Sequence, residues 1–243
     1  ISMIIKTIVL IFFSLFVFSQ DNYSNKKILV YSHTNGYIHR KAINEGIILI
    51  NNIGKKNNIE VFHSKNQKSF NADELLTFDA VIFLCTTLDV LNNKQQDKFK
   101  EFIRSGKGFV GIHSAADTEY DWPWYGLLVG AYFTDHPKGT PLAEINTTSN
   151  NSFFTSHLKK KWEIEDEWYN YNFRNLNIIP LLMLDENSYQ GGLNGDNHPI
   201  TWYQEFDGGR SFYTGLGHKK EIYQDIRFQK LLEKGILYAV NGF

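Results

Sequence analysis

The sequence predicts an α/β fold with a mostly parallel sheet and helices on both faces. Three observations carry that expectation. Short apolar runs bounded by turn signals, the mark of buried strands, occur at Lys27–Ser32, Ile59–Phe62, Asp79–Cys85 and Phe109–Ile112. Helical stretches alternate with them, and strands joined this way pair in parallel through right-handed crossovers that leave helices on both faces. At 243 residues the chain can bury one sizeable core, and nothing in it demands a second domain.

Taken in order, Lys6 precedes the apolar run Thr7–Phe18, which is short for a bilayer span and flanked like a secretory signal. Cleavage is expected after Ser19, with a short linker at 20–26 and the folded domain at 27–243, so that the product is periplasmic or secreted and keeps no stable membrane span. The first strand, Lys27–Ser32, runs into the polar stretch His33–His39. Ile43, Ile47, Ile48 and Ile50 then approximate one face of a helix over Arg40–Lys56, closed by Gly54. Ile59–Phe62 is the second strand, and Asn71 is expected to cap a brief helix through Leu76. Asp79–Cys85 is the third strand, followed by a loop at Thr86–Asp89. Asn92 or Asn93 caps a helix over Lys94–Ser105 with Phe99, Phe102 and Ile103 inward, and Gly106 ends it. Gly108 leads into the fourth strand.

Beyond Asp121 the alternation loosens. Pro123 suits the first turn of a short helix, and Gly130–Pro137 reads as a loop. Strand-like runs follow at Leu142–Thr147, Trp162–Tyr171, Ile178–Leu184, Ile200–Phe206 and Ser211–Thr214, the last two joined by the hairpin signal Asp207-Gly208-Gly209. Thr147–Ser152 reads as a surface loop, and Asp225–Val240 closes the chain as an amphipathic helix.

Composition narrows the function. The formal net charge of −1 supplies no basic face for phosphates, which argues against nucleic acid and for a small or neutral ligand. Aromatic residues make up 15% of the chain, high for an ordinary globular composition; packing is the default role of most of them, and rings that do not fit in the core commonly line carbohydrate or other ligand clefts. Cys85 is the single cysteine, so no intrachain disulfide forms, and it sits in an apolar run where a thiol acts as a small hydrophobe.

The candidate chemistry gathers at strand ends. His33, His39, His113, His136, His157, His198 and His218 fall at expected loops or strand ends, where open α/β sheets bind ligands. Imidazoles there serve as base, acid or metal ligand. No spacing is a sharp metal signature: His33 and His39 do not repeat at a helical turn, and there is no cysteine pair. Among the acids, Asp89, Asp117, Asp135 and the run Glu163–Glu167 stand out. If that run is a strand, Glu163, Glu165 and Glu167 share one face and Asp166 the other. Carboxylates beside aromatic rings, as in Asp166-Glu167-Trp168-Tyr169, can be tuned toward acid catalysis, and Trp168 can stack on a sugar.

The motifs His33–His39, Thr86–Leu91, Gly108–Thr118, Gly130–Pro137, Asp166–Tyr169, His198–Trp202 and Gly209–His218 together resemble those of the ThuA-like, trehalose-utilisation family, over nearly all of the chain from Lys27 onward. The resemblance implies a flavodoxin-like, class I glutamine amidotransferase-like sheet. In true amidotransferases a cysteine nucleophile occupies the turn after the Gly-Ile strand end. Here His113 follows Gly111-Ile112, so a glutamyl thioester has no thiolate and glutaminase activity should be absent. Leu88 departs from the family pattern, which usually has glycine there. The family association with disaccharide use implies a sugar substrate: glycosides or keto-disaccharides, changed by hydrolysis, elimination or isomerisation.

The expectation is therefore an exported enzyme of carbohydrate catabolism. Catalytic roles fall to His113, Asp117 and Glu167, substrate contacts to His39, Asp89, Trp168, His198 and Trp202, and a divalent metal ion to His33, His136 and His218. The alternative is a sugar-binding protein without turnover, using the same aromatic and polar loops.

Overall fold

The computed structural model describes residues 26–71 and 73–243. The expected signal segment lies outside the described residues, as does all of the expected linker except Lys26, which opens the first strand.

The first half alternates as the apolar runs predict. It comprises β1 (Lys26–Tyr31), α1 (Arg40–Asn57), β2 (Ile59–Ser64), β3 (Ala80–Leu84), α2 (Asn93–Arg104) and β4 (Gly108–Ile112). The second half holds α3 (Pro123–Val129), β5 (Ala131–Asp135), β6 (Leu142–Thr147), the short α4 (Ser152–Thr155), β7 (Lys161–Glu165), β8 (Asn170–Phe173), β9 (Ile179–Leu184), β10 (Pro199–Phe206), β11 (Gly209–Thr214) and α5 (Ile226–Asn241). Nine strands form one sheet in the order β2-β1-β3-β4-β11-β10-β9-β6-β7, and β5 pairs with β8 apart from it. The strands from β2 to β11 run parallel, while β10, β9, β6 and β7 continue antiparallel. The order β2-β1-β3-β4 is that of a flavodoxin-like sheet, whose ligands bind beyond the carboxyl ends of the strands.

Alternation along the strands divides the core between two layers. Phe83 and Phe109 meet Phe99 of α2 and Tyr125 of α3 on one face. On the other, a side chain at Gly46 of α1 would strike Leu84, and one at Gly235 of α5 would strike Phe212. Both helices lie too close to the sheet there for a Cβ.

Several local expectations are corrected. Gly54 does not end α1. A Cβ there would come 2.4 Å from Val61, so the glycine lets β2 approach, and the helix runs three residues further to Asn57 and is capped by left-handed Asn58. Asn71 starts no helix. It closes a 3₁₀ turn at Gln67–Phe70 that Asn66 caps, and a second such turn follows at Asp73–Thr77. Asn92 rather than Asn93 caps α2, in a reciprocal capping box with Gln95. The expected loop at Gly130–Pro137 contains β5, and the surface loop at Thr147–Ser152 includes the end of β6 and the start of α4. The run Trp162–Tyr171 breaks into β7 and β8 around Asp166–Tyr169. The hairpin signal holds, with Asp207 and Gly208 both at positive φ.

Among the described residues, no helix is long and apolar enough to cross a membrane.

Candidate functional site

Because β1, β3, β4 and β11 are parallel neighbours, their carboxyl ends deliver four loops to one edge. The loop after β1 carries Tyr37 and His39, that after β3 carries Thr86–Asp89, that after β4 begins at His113, and that after β11 carries Gly215–His218.

His113 holds a left-handed conformation, φ 53°, at the strand end. For a residue with a Cβ that costs about 1–2 kcal/mol, so its surroundings must fix it. They do so with two contacts: the Tyr213 hydroxyl donates to the His113 carbonyl at 2.8 Å, and His113 Nδ1 lies 2.8 Å from the Gly215 carbonyl. A carbonyl only accepts, so Nδ1 carries the proton and a neutral ring turns the bare lone pair of Nε2 away from β11. Nε2 then lies 3.3 Å from Glu167 Oε2.

Asp166 brings Glu167 and His218 together. Its buried carboxylate accepts from the amides of Gly217, at 2.6 Å, and Lys219, at 3.1 Å, clamping the loop on both sides of His218. Pulling Asp166 inward is what breaks the long acidic run as a strand. Glu167 Oε2 consequently stands 3.1 Å from His218 Nδ1, and Oε1 stands 3.4 Å from His136 Nε2. His39, the residue before α1, closes the group. Its Nδ1 lies 3.3 Å from Ser114 Oγ, and its ring centre is 4.7 Å from that of His113 and 5.1 Å from that of His218.

His39, His113, Glu167 and His218 thus form a group that can hold a metal ion, with one candidate ligand atom from each lying within 4.8 Å of all the others. Two features of the donor set fit an ion. The distances to Glu167 are those of ion pairs, yet His113 Nε2 and His218 Nδ1 lack hydrogen-bond geometry and are buried without a hydrogen-bond partner. Orphaned buried ring nitrogens are costly unless something coordinates them. Burial, reinforced by the neighbouring His113 and His218, also pushes the His39 pKa down to about 2, so this ring is neutral and free to bind. Burial alone would raise the Glu167 pKa, but protons carried toward it by the His113 and His218 rings would outweigh burial and hold the carboxyl well below the usual range. Burial likewise opposes a charge on His218, and Glu167 overcomes it, raising the imidazole pKa. Three imidazoles and one carboxylate suit a transition ion such as zinc better than magnesium or calcium.

The remaining expected residues separate into those near this group and those away from it. Glu167 and His113 are its centre, and His136, 38% exposed, sits at its edge. Asp117 lies close enough for its charge to be felt by both His113 and Glu167. Burial raises its pKa, and Tyr120 donates to it at 2.7 Å. His33 is not brought in: its Nδ1 meets the Lys65 carbonyl at 3.0 Å and its ring packs beside Tyr31. Asp89 is exposed in the loop after β3, outside the group. Three expected sugar contacts are interior residues instead. Trp168 Nε1 donates to Pro141 O, Trp202 Nε1 donates to Val129 O, and His198 spans Glu186 and the Tyr169 carbonyl. Trp202 and His198 are 0% exposed and Trp168 is 1% exposed, so none can touch a sugar.

The residue list from sequence omitted Tyr37, whose ring is 68% exposed and meets the edge of His39 at 4.7 Å, and Tyr169, which packs on His113 at 4.3 Å. Both lie within the recognised motifs, but the sequence gives no signal of which aromatic ring faces the site. A cavity of about 470 Å³ opens at His39 and His218, lined also by Tyr37, Thr140 and the start of α1.

A flavodoxin-like sheet with this motif at the end of its fourth strand defines a class I glutamine amidotransferase-like protein, with imidazole in place of the thiol. Residues 27–239 match the family described as ThuA, trehalose utilisation. The chain belongs to the ThuA family. Its fold is similar to that of a ThuA-like protein from Bacteroides uniformis, at 19% identity and a TM-score of 0.76 over 89% of this chain and 91% of the other. A ThuA-like protein from Parabacteroides merdae compares closely, at 19% identity and 0.74 over 89% and 90%. A beta-galactosidase from Rahnella sp. R3 matches 87% of this chain with 31% of its own length, at 13% identity and a TM-score of 0.57. No curated protein matches the sequence.

Proposed function

We propose that this protein is an exported, metal-dependent enzyme acting on sugars, and that it moves a proton beside the carbonyl of an oxidised glycoside, in an isomerisation or elimination. The observation that carries the reading is the pair of orphaned ring nitrogens facing Glu167, completed by His39. His39, His113, Glu167 and His218 would hold the ion, and a divalent ion there acts as a Lewis acid on a carbonyl or hydroxyl oxygen.

The chain's own groups supply the rest. Gly215 keeps His113 in the tautomer that can bind, and His113 is too buried to meet a sugar itself. His136 is the exposed imidazole at the edge of the centre; its Nδ1 donates to the Pro137 carbonyl at 2.8 Å, which leaves the Nε2 lone pair to take the proton from carbon. Asp117, with its pKa raised by burial, returns a proton to oxygen. Tyr37 offers an exposed aromatic face for the sugar beside His39. Cys85 cannot rescue amidotransferase chemistry. It is fully buried against Gly217 and Tyr223, and burial pushes its thiol up to about 12.

The test is elemental analysis of gently purified protein, followed by incubation with a 3-keto-glucoside and product analysis by NMR. Bound divalent metal together with turnover abolished by chelator supports the reading. Sugar binding without turnover in metal-loaded protein would replace it with the sugar-binding alternative.

A further inference from the structure

The start of α1 is built against the usual electrostatics of a helix. This 18-residue helix has no acidic residue in its first turn, no side-chain cap, and Arg40 and Lys41 at its first two positions. A helix N-terminus carries partial positive charge, so cations there are unfavourable unless an anion joins them. Arg40 and Lys41 are exposed and have no acidic partner, and the amides of Lys41 and Ala42 have no acceptor among the described residues. All three residues line the 470 Å³ cavity, together with Lys219, Lys220 and Glu221. Lys219 is held by Glu165 at 2.7 Å, and Lys220 approaches Glu221 only to 3.9 Å. The rim is locally basic although the chain as a whole is not.

A helix end alone makes no site, but this one abuts unsatisfied buried groups. The residue preceding α1 is His39, 7% exposed, whose Nε2 has no hydrogen-bond partner among the described residues, and His218, which lines the same cavity, carries an Nδ1 that is buried without a hydrogen-bond partner. The same cavity therefore touches a candidate ion centre at His39 and His218 and an uncompensated helix start.

We propose that this cavity receives an oxyanion carried by the sugar substrate, a carboxylate or a phosphate, which binds the amides of Lys41 and Ala42 and the side chains of Arg40 and Lys41 while the sugar reaches the His/Glu centre. The sugar half rests on the reading above; the oxyanion half rests on α1. The volume suits a ligand of one or two sugar units.

Calorimetric titration of metal-loaded and chelator-stripped protein with glucose, gluconate, glucose 6-phosphate and inorganic phosphate tests it, on the wild type and on R40Q/K41Q. The expected result is at least one anionic sugar binding about tenfold or more tighter than glucose, with that advantage lost in R40Q/K41Q and metal content unchanged. Preference for gluconate identifies a carboxylate, and preference for glucose 6-phosphate or phosphate identifies a phosphate. Equal affinity for glucose and both anionic sugars, or an advantage that survives R40Q/K41Q, overturns the proposal. If the protein binds no divalent ion, the metal-centre reading fails by itself, because the anion preference of stripped protein still reports on α1. Since both side chains are exposed and oppose the helix dipole, R40Q/K41Q should fold and melt no lower than wild type.

Discussion

His113 Nδ1 lies 2.8 Å from the Gly215 carbonyl, and that contact decides what the opposite nitrogen can do. With the proton held on Nδ1, a neutral His113 presents only a lone pair to Glu167, 3.3 Å away. Two lone pairs facing each other in a buried site repel, and a cation between them removes the conflict. The residue standing where an amidotransferase carries its nucleophile is thereby left with a lone pair that could bind a metal ion.

Replacing the carboxylate should expose that dependence. Glu167→Gln keeps the shape but removes the charge that faces His113, His218 and His136. Metal affinity should fall by more than about a hundredfold, since losing a group that merely orients a ligand already costs about 10–100-fold. Metal content by mass spectrometry under native conditions checks this, and full retention in the variant would remove Glu167 from the centre.

Affinity for metal should also depend on pH in a defined way. The His218 pKa is raised above its ordinary 6.5 by Glu167, so at and below that raised pKa the ion must displace a proton from this ring. Affinity should be flat above the His218 pKa and fall about tenfold for each pH unit below it. His39, with its pKa near 2, and Glu167, held ionised below its ordinary 4.5, add no slope until the solution is strongly acidic. Competition with a chromophoric chelator between pH 5 and 9 reads the slope, to which His218 should contribute one proton.

His136 should separate chemistry from metal binding. It is the exposed member, 3.4 Å from Glu167. His136→Gln is expected to lower kcat by about 10²–10⁴, the usual contribution of a positioned base, while metal content stays near one equivalent. A variant with wild-type kcat on a substrate that the wild type converts would assign proton removal elsewhere.

The sequence made the parallel half legible because its strands are continuous apolar runs, and made the site legible because parallel strands send their loops to one edge. It could not show which way a ring turns. His33 and His39 lie in one loop six residues apart, and only His39, at the start of α1, faces the centre. Trp168, His198 and Trp202 also lie in the recognised motifs, yet each is interior and bonded to a backbone carbonyl. The break at Asp166 was hidden for a related reason: its partners, Gly217 and Lys219, are about fifty residues away. β5 was missed because it exists through pairing with β8, forty residues on.

The interior role of Trp202 can be checked directly. Trp202→Phe removes the bond to the Val129 carbonyl and some buried ring area. Stability should drop by about 1–3 kcal/mol, from the unpaired buried acceptor and the smaller ring. Sugar affinity of the folded variant should be unchanged, whereas Tyr37→Ala should weaken it with little effect on the urea midpoint.

Leu88 offers a test of backbone strain beside the site. It holds φ 58°, its amide donates to the Asp117 carbonyl at 2.7 Å, and its own carbonyl accepts from Glu119 at 3.2 Å. These bonds tie the loop after β3 to the one after β4, so the left-handed conformation is imposed from both sides. A leucine pays about 1–2 kcal/mol for that conformation, and glycine does not. Glycine recovers less than the full amount because its unfolded chain is freer, by about 0.5–1 kcal/mol. The side chain is 43% exposed, so the burial lost with it, about 1 kcal/mol, offsets the gain. Leu88→Gly should therefore cost little or nothing although it removes a whole leucine side chain, seen as an unchanged urea midpoint at unchanged slope. A lower midpoint would mean that packing of Leu88 over Gly36, where a Cβ would sit 3.0 Å from the leucine Cγ, outweighs the strain.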